Sequence, residues 1–119
     1  MLMFMHELGI TRTIIDLLQD ECSKRDITCL KSVTIELGQL STYTADSIKF
    51  YFETIRKEYQ NLENTDLNFI EIKGALRCID CNAISEITDN TTIFCPACNS
   101  ANIEIFQGKD VNIKEIGVD

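Results

Sequence analysis

Four cysteines in the second half of the chain carry the strongest chemical signal. Cys78-Ile79-Asp80-Cys81 and Cys95-Pro96-Ala97-Cys98 are two Cys-x-x-Cys knuckles, separated by the thirteen residues from Asn82 to Phe94. A two-residue gap lets both thiolates of a pair converge on one ion from a tight turn. A spacer of this length allows a short hairpin to bring the two pairs together as a tetrahedron. Zinc is the default ion, held in a closed shell that contributes folding energy without chemistry. Iron in a rubredoxin-like site and a redox dithiol at Cys95 and Cys98 are the competitors, and the matching first knuckle counts against the dithiol. Cys22 and Cys29 stand apart, with no histidine near them in sequence, and are expected to be buried structural cysteines.

The only histidine, His6, follows Met5 and precedes Glu7, just ahead of a helical pattern. Met1, Met3 and Met5 are all candidate starts. In a chain that starts at Met5, the α-amine of Met5, the deprotonated amide nitrogen of His6 and the His6 Nδ1 form fused five- and six-membered chelate rings around one ion. Such a nitrogen-rich, near-planar set suits Ni(II) or Cu(II) better than zinc. Glu7 can fill the fourth position through its amide or its carboxylate. With Met1-Leu2-Met3-Phe4 attached, the primary amine moves away and the chelate weakens. The same residues serve equally as a disordered lead-in to a helix.

Composition narrows the remaining classes. The 119 residues are 45% hydrophobic and 25% charged, with one Pro and five Gly, as in a globular protein with a modest core. Eleven basic against nineteen acidic residues give a net charge of −8, the wrong sign for a phosphate-backbone binder. Between Gly74 and Phe106 the balance is Arg77 against Asp80, Glu86, Asp89 and Glu104, so the cysteine module is not expected to read nucleic acid. No apolar run approaches the ~18 residues of a membrane span, and no signal-peptide pattern is present. Six cysteines without an export signal point to a reducing compartment, so the protein is expected to be cytoplasmic.

The elements that must position these residues follow from periodicity. Leu8 to about Glu21 places Ile10, Ile14, Leu17 and Leu18 at helical spacing. Lys31 to Gly38 alternates as a half-buried strand, with Val33, Ile35 and Leu37 on one face. After the hydroxyl caps offered by residues 41–44, Ile48, Tyr51, Phe52, Ile55 and Tyr59 mark a second helix that ends at residues 61–64. Leu67 to Lys73 is a strand whose adjacent Phe69 and Ile70 imply partial cover on both faces. Ile103 and Ile105, a turn at residues 107–110, and Val111 to Val118 return to strand character, with a phase slip between Ile113 and Ile116 that suggests a bulge. The expected fold is α+β, with two helices packed on a small three-stranded sheet and an inserted four-cysteine, zinc-ribbon-like domain. The expected domains are 5–73 plus 107–119, and 74–106.

Met5-His6-Glu7-Leu8-Gly9-Ile10, the run from Val33 to Ser41, Phe50-Tyr51-Phe52-Glu53, the two knuckles and Gln107-Gly108 together resemble the HypA/HybF family of hydrogenase nickel-insertion proteins, from Met5 to Val118. The resemblance implies a nickel metallochaperone rather than an enzyme. It carries Ni(II) as transported cargo on Met5, His6 and Glu7, and structural Zn(II) on Cys78, Cys81, Cys95 and Cys98. It also implies a nickel-loading GTPase (HypB-like) and the large subunit of nickel-iron hydrogenase as partners, with urease maturation proteins a second set that the sequence leaves open. The chain departs from the family pattern in its four leading residues, because the family's site uses the amine of its first methionine. The rival from another class is a zinc-stapled protein-interaction adaptor in which His6 has no metal role.

Overall fold

The computed structural model describes the backbone of residues 2–88 and 93–118, and the side chains of 8–88 and 93–118. In chain order the elements are α1 (Leu2–Lys24), β1 (Ser32–Gly38), α2 (Ala45–Ile55), β2 (Asp66–Ile72), β3 (Ala75–Cys78), β4 (Ile84–Glu86), β5 (Ile103–Gln107) and β6 (Val111–Gly117). Two three-stranded sheets result, ordered β2-β1-β6 and β4-β3-β5. Among the described residues no helix is long and apolar enough to cross a membrane.

Helix α1 is longer at both ends than its apolar periodicity indicates. At the start, no Gly, Pro or capping residue interrupts the good helix formers around Met5, so the helix runs back to Leu2. At the other end it stops in a Schellman motif. Asp26 takes a left-handed φ of 53° and the Ile27 N–H reaches back to the Cys22 carbonyl at 2.8 Å. The buried stripe is Thr11, Ile14, Ile15, Leu18 and Cys22, a run of three- and four-residue steps. Leu17 falls outside that stripe and is exposed, contrary to the sequence reading.

Helix α2 begins where a hydroxyl can cap it, the Thr44 Oγ1 accepting from the Ser47 N–H at 3.2 Å. It buries Ile48, Phe52 and Ile55 and ends four residues short of Tyr59, continuing as two 3₁₀ turns at Arg56–Glu58 and Gln60–Leu62. Arg56 explains the tightening. Its guanidinium donates to the carbonyls of Leu62 (2.7 Å from Nη2), Glu63 (3.0 Å) and Thr65 (2.7 Å), and it lies over the Phe52 ring. One side chain thereby gathers the chain that leaves the helix.

Backbone bonds give the strand directions. Asp66 N–H to Lys31 O and Gln39 N–H to Ile72 O advance together, so β1 and β2 are parallel, with α2 as the crossover. Lys31 N–H to Gly117 O and Gly38 N–H to Asp110 O run oppositely, so β6 is antiparallel to β1. On β2, Leu67 is buried but Ile70 is 39% exposed. The second face of this edge strand is therefore only partly covered, with Ile72 half-buried on it. Burial along β6 does slip phase after Ile113, where Lys114 and Glu115 are both exposed.

The chain divides into two compact units: Met1–Ile35 with Tyr43–Ile70 and Asn112–Asp119, and Glu36–Thr42 with Glu71–Val111. In the first, the core draws on α1, α2, β1 and β2 through Ile15, Leu18, Val33, Ile35, Ile48, Phe52 and Leu67. The second is built on the β4-β3-β5 sheet. It also takes in residues 36–42, because the Gln39 side chain accepts from the Gly74 N–H at 2.8 Å and donates to the Ile87 carbonyl at 3.0 Å. Gly38 and Gly108 permit close backbone approach in the same unit: a Cβ at Gly38 would collide with the Gly108 carbonyl, and Gly108 has a φ of 91°.

Candidate metal centre

The second unit presents its cysteines from two turns of the same design. Cys78 ends β3, and its N–H and carbonyl bond to the Ala83 carbonyl and the Asn82 N–H, both at 2.9 Å. Cys95 repeats the pattern with the Ser100 carbonyl at 2.9 Å and the Asn99 N–H at 2.7 Å. Asn82 and Asn99, each directly after the last cysteine of its pair, take left-handed φ values of 63° and 65°. Asparagine is among the few residues that tolerate this conformation. The repeated Cys-x-x-Cys-Asn run is legible in the sequence, although the role of the asparagine was missed there.

Strand pairing brings the two turns together. Arg77 faces Glu104 and Cys78 faces Ile103 across β3 and β5, while Arg77 faces Ile84 across β3 and β4. The β3/β5 register shifts between Ala75 and Leu76, which leaves Phe106 as an extra residue on β5 and bends it. The four sulfurs consequently lie within 4.8 Å of one another. Cys78 Sγ is 3.5 Å from Cys98 Sγ, and Cys81 Sγ is 3.6 Å from Cys95 Sγ. These separations are far too long for disulfides. They match the roughly 3.8 Å edge of a tetrahedron with metal–sulfur bonds of ~2.3 Å. Cys78 and Cys95 are buried, whereas Cys81 and Cys98 are exposed.

Backbone N–H groups favour thiolate at these sulfurs, and the neighbouring sulfurs and burial oppose it. The Cys81 N–H points at the Cys78 sulfur, 3.4 Å away. The Cys98 and Ala97 N–H groups pull the Cys95 thiol down to about 7, against the effect of burial. Cys98 is pushed up to about 12: the Ser100 N–H favours its thiolate, but the neighbouring sulfur of Cys78 and burial prevail. Cys81 is also raised, the Ala83 backbone being outweighed by Cys95 and burial. Sulfurs packed this closely cannot all ionise without a cation. The donor set therefore fits a divalent, thiophilic ion, and four thiolates in a tetrahedron fit zinc.

Around the sulfurs lie residues with no ligand role. Asp80 accepts hydrogen bonds from the Ser100 hydroxyl and, at 3.2 Å, from the Asn102 amide. Arg77 pairs with Glu104 at 2.8 Å, so the module's single basic residue is already matched. The sequence reading treated Asp80 only as charge, because its partners lie twenty residues away and become neighbours only through the β3/β5 pairing.

The remaining candidates fall outside this cluster. Met5, His6 and Glu7 belong to α1, and their side chains lie outside the described residues, as does Asp89. Cys22 is buried, and burial pushes its thiol up despite a hydrogen bond with Asn61. Cys29 is exposed, not buried as expected, because it sits in the irregular link between α1 and β1. Among the described residues, the four knuckle cysteines are the one cluster able to hold a metal.

An α+β unit joined to a ribbon with a four-thiolate centre defines a small metal-binding protein of the zinc-ribbon kind. Its family can be stated more closely. The family model described as "Hydrogenase/urease nickel incorporation, metallochaperone, hypA" matches residues 5–118, and the chain belongs to this family. Hydrogenase maturation factor HypA of Rippkaea orientalis is 38% identical over 115 residues, covering 97% of this chain and 96% of that protein. The factor of the same name from Caldanaerobacter subterraneus is 33% identical over 116 residues, covering 97% and 100%. Two solution structures share the fold. The Ni metallochaperone HypA from Helicobacter pylori has a TM-score of 0.70 at 23% identity, covering 92% of this chain and 94% of that one. A second HypA protein has a TM-score of 0.73 at 24% identity, covering 94% of each.

Proposed function

We propose that this protein carries Ni(II) on Met5, His6 and Glu7 and helps insert it into the large subunit of nickel-iron hydrogenase, while Cys78, Cys81, Cys95 and Cys98 hold a structural zinc. The observation that supports this most directly is the family match, which begins at Met5 and runs to residue 118. In this reading, residues 5–73 plus 107–119 form the nickel-binding domain and residues 74–106 the zinc-binding domain. The protein works in the cytoplasm with a HypB-like GTPase, and no step is catalysed by the chain itself.

The two metals suit their sites for opposite reasons. Zinc on four soft thiolates has no open position and stays. Nickel on a few nitrogen and oxygen donors at the end of a chain can be passed on by ligand exchange, which a carrier requires. Protons compete for the imidazole, so nickel affinity falls as pH drops through the titration of His6.

Calorimetric nickel titration of the zinc-loaded protein and of His6→Ala tests the assignment. The variant is expected to lose nickel binding while retaining zinc and its helical circular dichroism. A His6→Ala protein that binds nickel as tightly as the parent would return the zinc-stapled adaptor to first place. A chain trimmed to begin at Met5 is expected to bind nickel more tightly, because its amine becomes a ligand.

A further inference from the structure

Two Cys-x-x-Cys pairs on separate turns stay near one another without an ion only if something else ties the turns. Among the described residues, one such tie beside the β3/β5 ladder and the sulfur contacts is a short segment around Asp80. The Ile79 N–H donates to the Asn102 carbonyl at 2.9 Å. The next residue, Asp80, uses both carboxylate oxygens: Oδ2 accepts from Ser100 Oγ, and Oδ1 from Asn102 Nδ2 at 3.2 Å. Ser100 Oγ in turn accepts from the Asn102 N–H at 3.0 Å. Asp80 lies between the two ligands of the first knuckle, whereas Ser100 and Asn102 lie two and four residues beyond the last ligand of the second. The carboxylate thus spans from one pair to the other.

We propose that Asp80 is a positioning residue for the zinc centre, a latch that ties the tip of the first knuckle to the exit of the second and slows loss of the ion. The proposal rests on the zinc assignment above. A four-thiolate ion leaves by stepwise opening of its shell, one pair drawing away from the other. With the latch closed, that separation must also break the bonds to Ser100 and Asn102. The charge of Asp80 is a separate matter: a carboxylate repels the thiolates but attracts the cation they hold. Asparagine and alanine remove that charge equally, whereas asparagine keeps one acceptor oxygen, so the difference between the two variants separates latch from charge.

The test is the rate of zinc transfer from the full-length, zinc-loaded protein to an excess of a chromophoric chelator, for the parent, Asp80→Ala, Asp80→Asn and Glu104→Ala. Asp80→Ala is expected to release zinc about tenfold faster, at the low end for groups that orient metal ligands because Asp80 is exposed and acts through its neighbours. Asp80→Asn keeps one acceptor oxygen and is expected to fall between. Glu104→Ala loses an ion pair of the same module and is expected to match the parent. Co(II)-loaded Asp80→Ala should keep the absorption bands of a tetrahedral four-thiolate site, since no ligand is removed. Unchanged or slower release in Asp80→Ala overturns the latch. So does an asparagine variant no better than alanine, equal acceleration in Glu104→Ala, or loss of the Co(II) bands. A parent protein that takes up no zinc would instead remove the zinc assignment, and the latch with it.

Discussion

At the scale of single residues, the metal centre is a contest between protons and a cation for closely packed sulfurs. Cys95 already lies near neutrality, at about 7, because the Cys98 and Ala97 N–H groups stabilise its thiolate, while Cys98 and Cys81 are held up. Metal binding must therefore expel protons. A thiol lowered to about 7 supplies thiolate above that pH and is reprotonated below it, and raised thiols lose their protons to solvent only when the ion displaces them. Zinc affinity is expected to fall by about tenfold or more per pH unit on acidification through neutrality. Competition with a chelator of known pH dependence checks this, and an affinity flat across that range would contradict it. The cysteine spacing revealed the ligands because a Cys-x-x-Cys turn is a local structure. It did not reveal Asp80, Ser100 and Asn102 as a group, since their proximity is a product of strand register. Cys29 was misread for a similar reason: residue type favours burial, but a cysteine in a loop is buried only if another element covers it.

At the scale of elements, Arg56 joins the end of α2 to the chain that follows it. Its side chain is 13% exposed and serves three main-chain carbonyls beyond α2, those of Leu62, Glu63 and Thr65, with Glu53 paired at 2.7 Å. Arg56→Ala leaves those carbonyls without their donor and is expected to destabilise the protein by about 2–4 kcal/mol. Urea unfolding of the zinc-loaded protein measures this, and a loss below ~0.5 kcal/mol would mean that water replaces the guanidinium at little cost. Most elements were legible beforehand. Alternation gave β1 through Val33 and Ile35, and the hydroxyls of residues 41–44 announced α2, although which of them caps it, Thr44, is seen only in the structure. The ends of the helices were less legible. The Schellman turn at Asp26 requires a left-handed residue that is not glycine, and the early close of α2 depends on a side chain reaching forward as far as Thr65. Periodicity reports which face is buried, not which distant carbonyls a long side chain will find.

For the whole molecule, the proposed function gives separate duties to separate donor sets. The four knuckle sulfurs lie within 4.8 Å of one another, and the family match starts at Met5, beside the only histidine of the sequence. The α+β class and the inserted module were readable because two helical periods, several alternating runs and a knuckle pair admit few arrangements. Strand directions were not readable, nor was the recruitment of Glu36–Thr42 into the second unit. That recruitment depends on Gln39 and on the close approach of Gly38 to Gly108, which no local pattern announces. The central claim is that nickel and zinc occupy different ligand sets in one chain. X-ray absorption at the nickel and zinc edges, on protein loaded with one equivalent of each, tests it most directly. The expected result is zinc surrounded by four sulfurs and nickel by nitrogen and oxygen donors, one of them imidazole; nickel with sulfur neighbours, or zinc displaced from the cysteines, would contradict the account.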